Sequence, residues 1–118
     1  MDWKDVFREK NEVVLSTYSK ESGPHAIVAI SQGFTDDDKL LLNACQTNTS
    51  VRNIKIDRRI SVVGLTGGYF RIKGVAELYD SGRYFKISEE RNKGPKVKYS
   101  IVITVTEVFD LDKVKKIF

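Results

Sequence analysis

The feature that most constrains this sequence is a series of short aliphatic and β-branched runs separated by turn residues, of which residues 69–79 form the clearest. In that segment, apolar residues at the even positions from Phe70 to Leu78 alternate with Arg71, Lys73 and Glu77. Alternation with period two predicts a β-strand with one buried face. A chain of 118 residues with many such runs predicts one domain built mainly from antiparallel strands.

Five further segments predict strands, and three predict short helices. Leu40, Leu41 and Leu42 are consecutive, which indicates a strand buried on both faces or forming a barrel wall. With only short helices beside about six strands, the predicted fold class is mainly β, as an antiparallel barrel or strongly curled sheet. The further strands are expected at residues 13–15, 26–30, 39–43, 60–65 and 100–109, the last with Ile101, Ile103, Val105 and Phe109 on one side. The helices are expected after Asp2, around Val51 and Ile54, and over residues 81–91.

The composition excludes several classes of protein. Cys45 is the only cysteine and His25 the only histidine, so neither an internal disulfide nor a tetrahedral Cys/His zinc site can form. The apolar runs are much shorter than a membrane-spanning helix, and the charged N-terminus is unlike a signal peptide. We therefore expect a soluble, cytoplasmic protein with no metal site.

Protein-only catalysis is not indicated by the sequence. No metalloprotease, nucleotide-loop or dinucleotide fingerprint occurs, and Gly67-Gly68 has the spacing of a hairpin turn. His25 follows Pro24 at a predicted turn, where a partly exposed polar role is the simpler interpretation. Cys45 follows the leucine-rich strand, which favours a small buried apolar residue over a reactive thiol. We therefore predict no catalytic side chain.

The most informative stretch is residues 39–56, which contain no acidic residue although acids make up 16 of the 118 residues. Hydroxyl and amide side chains at the start of a helix combine with free backbone N–H groups to favour a phosphate or another anion. The alternative is a capped helix with a polar entry loop. The candidate residues in this stretch are Gln46, Thr47, Asn48, Thr49, Ser50, Arg52 and Asn53.

A second candidate surface is basic. The formal net charge is +4, and Arg91, Lys93, Lys96 and Lys98 follow one another without an acid between them. Such a cluster could bind nucleic acid if nearby aromatic side chains stacked on bases, although a solvated loop is the favoured interpretation. The aromatic candidates for stacking are Tyr69, Phe70, Tyr79, Tyr84 and Tyr99.

Taken in order, five segments of the chain resemble the small FMN-binding split-barrel proteins related to pyridoxamine 5′-phosphate oxidase. The resemblance covers nearly the whole chain and depends on the order and spacing of the segments. They are Val14-Leu15-Ser16-Thr17 with Ser22-Gly23-Pro24-His25, Leu40-Leu41-Leu42, Thr49-Ser50-Val51-Arg52-Asn53-Ile54, Arg71-Ile72-Lys73-Gly74-Val75-Ala76-Glu77 and Ile101-Val102-Ile103-Thr104-Val105.

The resemblance implies a set of cofactor-binding residues. It places Thr49, Ser50 and Asn53 in the loop and helix that contact FMN, and it places Val28, Ala29, Ile30 and Ser31 along the edge of the flavin ring through their backbone. Many relatives carry a lysine where this chain has Thr49, so the charge that faces the phosphate is expected from Arg52, Lys73 or a partner subunit.

The resemblance also implies a function. It predicts a homodimer in which bound FMN passes electrons or hydride between NAD(P)H or a similar donor and an acceptor. Trp3, Tyr69, Tyr79 and Phe109 are the expected dimer contacts. Oxidation of pyridoxamine phosphate itself is disfavoured, because the arginine-containing C-terminal segment of the true oxidase has no counterpart here. Related split barrels use FAD, haem or F420, and a flavin carrier or sensor without turnover is the alternative within the family.

Overall fold

A computed structural model describes residues 2–44, 48–94 and 96–118 of the chain. The described part holds a 3₁₀ helix, seven strands and two α-helices. In chain order these are the 3₁₀ helix Trp3–Phe7, β1 Glu12–Ser19, β2 Gly23–Phe34, β3 Lys39–Ala44, α1 Asn48–Ile56, β4 Arg59–Gly64, β5 Phe70–Tyr79, α2 Gly82–Arg91, β6 Tyr99–Asp110 and β7 Lys115–Lys116. None of the helices in these residues has the length and apolar character needed to cross a membrane.

Six of the strands close into an antiparallel barrel, which confirms the predicted fold class. The strand order is β3-β2-β1-β4-β5-β6, and β3 pairs with β6 to complete the ring. That closing ladder runs over six residue pairs, from Lys39 opposite Thr104 to Ala44 opposite Tyr99. Because full closure removes free sheet edges from the barrel wall, every strand pair contributes to one continuous core.

One strand departs from the ring. β2 pairs with β1 along eight residues, from Gly23 opposite Ser19 to Ile30 opposite Glu12. It pairs with β3 only at Ser31 and Phe34, with an irregularity between them. Within the described residues, the first two thirds of β2 therefore have one paired edge and one unpaired edge. The sequence predicted only the middle of this strand, because glycine is common in turns and Gly23 and Gly33 mark its two ends. In the structure both glycines have positive φ and still belong to β2.

The core explains the leucine run. Leu40, Leu41 and Leu42 are all completely buried, as expected for a strand covered on both faces. Leu40 and Leu42 join the apolar cluster inside the barrel, together with Val6 and Phe7 from the 3₁₀ helix. Leu41 shares its face with Asn43, which donates to Asn92 just beyond α2 at 3.1 Å. The side of β3 away from the core is therefore the side that α2 covers.

The prediction for β6 was wrong at its C-terminal end. Ile101 and Ile103 are buried in the core, but Phe109 does not continue that face. The ladder with β5 shifts between Lys73 and Gly74, where Gly74 pairs with Val105 and Lys73 pairs with Glu107. The extra residue in β6 reverses the alternation, as a β-bulge does. Val108 therefore enters the core, and Phe109 lies on the outer face.

A polar network fixes α2 to the turn between β2 and β3. Arg83 forms an ion pair with Asp36, and it contacts Asp37 at 3.2 Å. Asp37 also accepts hydrogen bonds from Thr35 and Tyr84. These hydrogen bonds, with a smaller contribution from Arg83, lower the pKa of Asp37 from 3.8 to about 2. The network therefore depends on an ionised Asp37.

Gly74 provides a test of the packing at the bulge. A Cβ added there would lie 2.3 Å from the backbone oxygen of Thr104, a distance that real Cβ atoms do not adopt. We expect Gly74→Ala to lower the free energy of unfolding by about 1–3 kcal/mol or more, because backbone must move. Gly94→Ala is the matched control, since its nearest neighbour would be at 3.8 Å. Urea unfolding measures both variants, and equal stabilities would contradict the packing at Gly74.

Asp37 provides a test of the network around α2. Its pKa is lower in the folded state, so its stabilising effect is complete above the ordinary value of 3.8 and disappears as the pH falls towards 2. We expect the wild-type protein to be more stable than Asp37→Asn near neutral pH, with the difference shrinking below about pH 4. Urea midpoints recorded across this range give the comparison. A difference that does not change with pH would show that the network does not depend on the charge.

Candidate functional site

The candidate site is a cavity between α1 and the tip of the β1–β2 hairpin. Its volume is about 410 Å³. Helix α1 turns Val51 and Ile54 towards the barrel core, and this leaves its polar face towards the hairpin. The cavity is lined by Ser19, Glu21, Ser22, Thr49, Arg52, Asn53, Lys55 and Ile56. Hydroxyls and cations therefore converge on one opening.

Asn53 holds the two walls of this cavity together. Its Nδ2 donates to Thr17 Oγ1 on β1 at 3.0 Å. Its Oδ1 lies 3.2 Å from Ser22 Oγ in the hairpin turn, and the Ser22 backbone N–H donates to Ser19 Oγ at 3.1 Å. Asn53 is almost completely buried, so these bonds satisfy a polar group that would otherwise be costly. The network fixes the hairpin relative to α1.

The cavity carries an excess of positive charge. Arg52 and Lys55 line it against one acid, Glu21. Lys55 Nζ lies 5.2 Å from the centre of the Tyr99 ring. Arg52 is exposed, and its guanidinium has no hydrogen bond, ion pair or ring contact in the described part of the chain. A guanidinium without a partner beside hydroxyl groups can form paired hydrogen bonds to a phosphate or carboxylate.

The residues predicted from the acid-free stretch divide into three groups. Thr49, Arg52 and Asn53 line the cavity. Ser50 does not, because it is completely buried and its Oγ has no hydrogen-bond partner. Gln46 and Thr47 lie outside the described residues. The proposed cofactor roles of all these residues stay predictions.

The predicted ring-edge residues lie further along β2. Val28 and Ile30 point outwards and are exposed by 65% and 51%, whereas Ala29 is half-buried. All three belong to the part of β2 whose second edge is unpaired. Ser31 is different, because its backbone N–H donates to Asn11 O at 2.8 Å and its Oγ donates to Phe7 O at 2.6 Å. The unpaired edge of β2 therefore runs along residues 23–30, and Ser31 is not part of it.

Lys73 lies apart from the cavity. It is exposed on β5, opposite Ser61 on β4 and Glu107 on β6. Ser61 in turn pairs with Ser16 of β1, so Lys73 belongs to the outer face of the sheet. Arg52 and Lys73 were both predicted to supply the charge that faces the phosphate. Within one chain, Arg52 lines the cavity and Lys73 does not.

Five of the residues that line the cavity were not among the predicted site residues. Ser19 ends β1, Glu21 and Ser22 lie in the hairpin turn, and Lys55 and Ile56 lie on the last turn of α1. Ser22 was noted only within the segment Ser22-Gly23-Pro24-His25, since nothing in the spacing of the hairpin residues reveals which helix packs beside them. Lys55 follows Arg52 by three residues, a spacing that places both on adjacent positions of a helix surface. That spacing was the available signal.

The basic cluster near the end of α2 is less open to ligands than its sequence suggests. Arg91 donates from Nη1 to the backbone oxygens of Gln32 and Phe34, at 2.9 and 3.1 Å. Among the proposed stacking residues, Phe70 is buried. His25 is half-buried on β2 opposite Thr17. No group of three or more metal-ligating side chains occurs in the part of the chain that the structure describes.

This chain is similar to several other proteins in sequence or in structure. Over 111 residues, the chain is 29% identical to an uncharacterised protein of Methanocaldococcus jannaschii, an alignment that covers 86% of this chain and 74% of that protein. The structure of HupZ from Group A Streptococcus superimposes with a TM-score of 0.85 at 18% identity and covers 98% of this chain and 95% of HupZ. An FMN-binding protein from Syntrophomonas wolfei gives 0.69 at 15% identity, with 84% of this chain and 76% of that protein covered.

The structural likenesses show the fold, and a sequence model provides the family. The model described as pyridoxamine 5′-phosphate oxidase matches residues 2–112, which is almost the whole chain. The matched range includes the β1–β2 hairpin, α1 and all six barrel strands. This chain therefore belongs to the pyridoxamine 5′-phosphate oxidase family.

Proposed function

We propose that this protein binds FMN and moves electrons or hydride through it between a nicotinamide or similar donor and an acceptor. The observation that carries the proposal is Arg52, an unpartnered guanidinium in a hydroxyl-rich cavity at the start of the unpaired edge of β2. Family membership and the FMN-binding protein among the structural neighbours support the choice of cofactor.

The phosphate end of FMN belongs in the cavity. Arg52 supplies a charge-assisted donor, and Lys55 adds a second cation. Thr49 adds a hydroxyl from α1, and Ser19 and Ser22 lie on the opposite wall, where their hydroxyls bond to each other, to Gly23 O and to Asn53 Oδ1. Charged hydrogen bonds of this kind are stronger than neutral ones, which makes a phosphate a better occupant than a neutral polar group. Arg52 takes the role that a lysine plays in many relatives.

The ring end of FMN belongs along β2. At about 3.3 Å per residue, the strand from Gly23 to Val28 spans roughly 17 Å, a length comparable to an extended FMN molecule. The unpaired edge of β2 presents backbone donors and acceptors from every second residue, and these can pair with the polar edge of a flavin. The flavin would supply the redox chemistry, and the protein would orient it and exclude water from it. No protein nucleophile or acid–base pair is needed for this role.

The outer face of the sheet supports a homodimer. The ladder register places Val28, Val14, Val63, Arg71 and Phe109 side by side across five strands. Arg71 stacks on Phe109 at 4.9 Å, and its buried Nε has no hydrogen-bond partner. Val28 is exposed and the other four residues of the row are half-buried, and a mainly apolar row of this kind is suited to an interface, for which two-fold pairing is the commonest arrangement. A second copy would cover this face together with the open edge of β2.

The four expected dimer contacts divide into two that lie on or near the outer face and two that pack within their own chain. Phe109 lies in this row, and Tyr69, which is 53% exposed, lies beside the start of β5. Trp3 instead packs on Phe7 and Phe34 within its own chain, with ring centres 6.2 and 5.7 Å apart. Tyr79 packs on Tyr84 at 5.6 Å, next to α2. Tyr69 and Phe109 are therefore the two aromatic residues that we propose for the interface.

FMN binding tests the cofactor assignment. We expect one FMN per subunit by calorimetric titration, and we expect Arg52→Ala to raise the dissociation constant roughly ten- to a hundredfold, since a charge-assisted hydrogen bond contributes about 1.5–3 kcal/mol. Riboflavin lacks the phosphate, so its affinity should change less than about twofold, given that Arg52 then has no partner to lose. Lys86→Ala, on the exposed surface of α2, removes the same charge elsewhere.

The outcomes of this titration are distinct. A folded wild-type protein that does not bind FMN at millimolar concentration would contradict the cofactor assignment. Equal weakening of FMN and riboflavin in Arg52→Ala would show that Arg52 supports the fold or the ring instead of the phosphate. Steady-state oxidation of NADH and NADPH by the FMN-loaded protein separates a redox protein from a flavin carrier, because a carrier does not turn over.

Val28→Asp tests the dimer. Val28 is 65% exposed in one subunit, so an acid there should leave the isolated subunit folded. In the proposed dimer the carboxylate would be buried without a partner, which costs several kcal/mol. We expect light scattering to give the dimer mass for wild type and for Lys86→Ala, which has the same net charge as the variant, and the monomer mass for Val28→Asp. A wild-type protein that is monomeric at micromolar concentration, with and without FMN, would refute the proposal.

A further inference from the structure

The last residues of β5 have a strand on only one side. β4 pairs with β5 as far as Arg59 opposite Val75, and one further backbone bond runs from the Ala76 N–H to Arg58 O at 2.8 Å. Residues 77–79 pair with β6, but in the described part of the chain no strand lies along their other edge. A second cavity, with a volume of about 270 Å³, lies at this edge, between the end of α1 and residues 76–79.

Two groups of opposite charge line this cavity without pairing with each other. The Arg58 guanidinium has no hydrogen bond, ion pair or ring contact among the described residues, and the carboxylate of the neighbouring Asp57 is bonded to Arg59 instead. The Glu77 carboxylate accepts a hydrogen bond from the Tyr79 hydroxyl at 3.4 Å and forms no ion pair within the same residues. Arg58 and Glu77 are therefore both available to an external ligand.

The two signs of charge select against simple ions. An anion attracted to Arg58 would also meet the Glu77 carboxylate, and a cation attracted to Glu77 would also meet Arg58. Lys55, the third charged residue of the lining, has its Nζ 5.2 Å from the centre of the Tyr99 ring. A small ligand that carries both an ammonium and a carboxylate can place each of its charges against an opposite one.

The rest of the cavity wall is apolar. Ile54 and Ala76 belong to the core, and Leu78 is half-buried beside them at the open edge of β5. An aliphatic group laid against this wall would remove apolar surface from water, whereas a phosphate or a sugar would gain nothing there. The volume is slightly below the roughly 300–1,000 Å³ of pockets for drug-sized ligands, which suits a smaller molecule.

We propose that this second cavity binds a free α-amino acid with an aliphatic side chain, such as leucine. Its carboxylate would accept hydrogen bonds from Arg58, its ammonium would donate to Glu77, and its side chain would lie against Leu78 and the core. The two cavities share only Lys55 among their lining residues. The proposal therefore goes beyond the proposed function, and it can be tested without a flavin.

The experiment titrates three probes and follows the backbone amide chemical shifts of residues 54–58 and 76–79 by NMR. L-leucine carries both charges, 4-methylpentanoate lacks the ammonium, and 3-methylbutylamine lacks the carboxylate. We expect leucine to bind wild type with a dissociation constant on the order of 1–10 mM, as suits an open site with exposed ion pairs. Each of the other two probes should bind about two- to fivefold more weakly than leucine, because it forms only one of the two ion pairs.

Two variants separate the two charges. Arg58→Ala should raise the dissociation constant for leucine about two- to fivefold without weakening 3-methylbutylamine, which has no carboxylate to lose a partner. Glu77→Gln should weaken leucine by about the same factor without weakening 4-methylpentanoate. Lys86→Ala and Glu89→Gln remove the same charges from the exposed surface of α2 and are the matched controls. Opposite responses to the two singly charged probes cannot arise from a general loss of folded protein.

Three results would overturn the proposal. One is the absence of shift changes at residues 54–58 and 76–79 at tens of millimolar leucine. Another is leucine that binds no more tightly than either singly charged probe, which would show that the cavity does not use both charges. The third is a leucine affinity that is the same in Arg58→Ala, Glu77→Gln and their controls, which would place the bound leucine elsewhere. None of these measurements depends on the cofactor assignment.

Discussion

The closure of β3 onto β6 determines most of this structure. Six residue pairs join the two strands, and β3 uses that edge along its whole length. β2 meets β3 only at Ser31 and Phe34, so the rest of β2 projects beyond the ring with one edge unpaired. Since unpaired strand edges are a liability in soluble proteins, the projection needs an occupant. The proposed flavin and the proposed second subunit are two such occupants, and both follow from the same closure.

Asn53 turns this projection into a site of defined shape. It bonds Thr17 on β1 and lies beside Ser22 in the turn before β2, so α1 cannot move without the hairpin. The amide is buried, and its loss would remove the hydrogen-bond partner of the buried Thr17 hydroxyl. Asn53 therefore positions the walls of the cavity, while Arg52, one residue earlier on the helix, remains free to meet a ligand. Asn53 and Arg52 are neighbours on α1 but point in different directions. Asn53 therefore has a structural role, and Arg52 has the proposed binding role.

The sequence predicted the positions of the strands and helices better than it predicted which face or cavity each side chain occupies. Periodicity placed the strands because the alternation in β5 and the leucine run in β3 reflect burial directly. The bulge opposite Gly74 left no such signal, so the face of Phe109 was assigned wrongly. In the acid-free stretch, composition indicated an anion site but could not separate Ser50, which is buried, from Arg52, which lines the cavity. That separation depends on which side of α1 packs on the barrel, and the hairpin that completes the cavity is about 30 residues away in sequence.

The composition gives only the number of arginines, whereas the structure shows which of them have a partner within the protein. A net charge of +4 is unremarkable for a domain of this size, and five of the seven arginines serve the fold through acids, rings or carbonyl groups. Holding a cation on a protein surface without a partner gives no stability, whereas a bound phosphate gains a charge-assisted hydrogen bond from it. Of the two unpartnered arginines, Arg52 lies on α1 beside the hairpin where β2 begins its unpaired course, and Arg58 follows α1 near the end of β5. Arg52 is therefore an arginine that the fold does not use, beside the open edge of the sheet, and a ligand with an anionic tail and a flat polar ring satisfies both features at once.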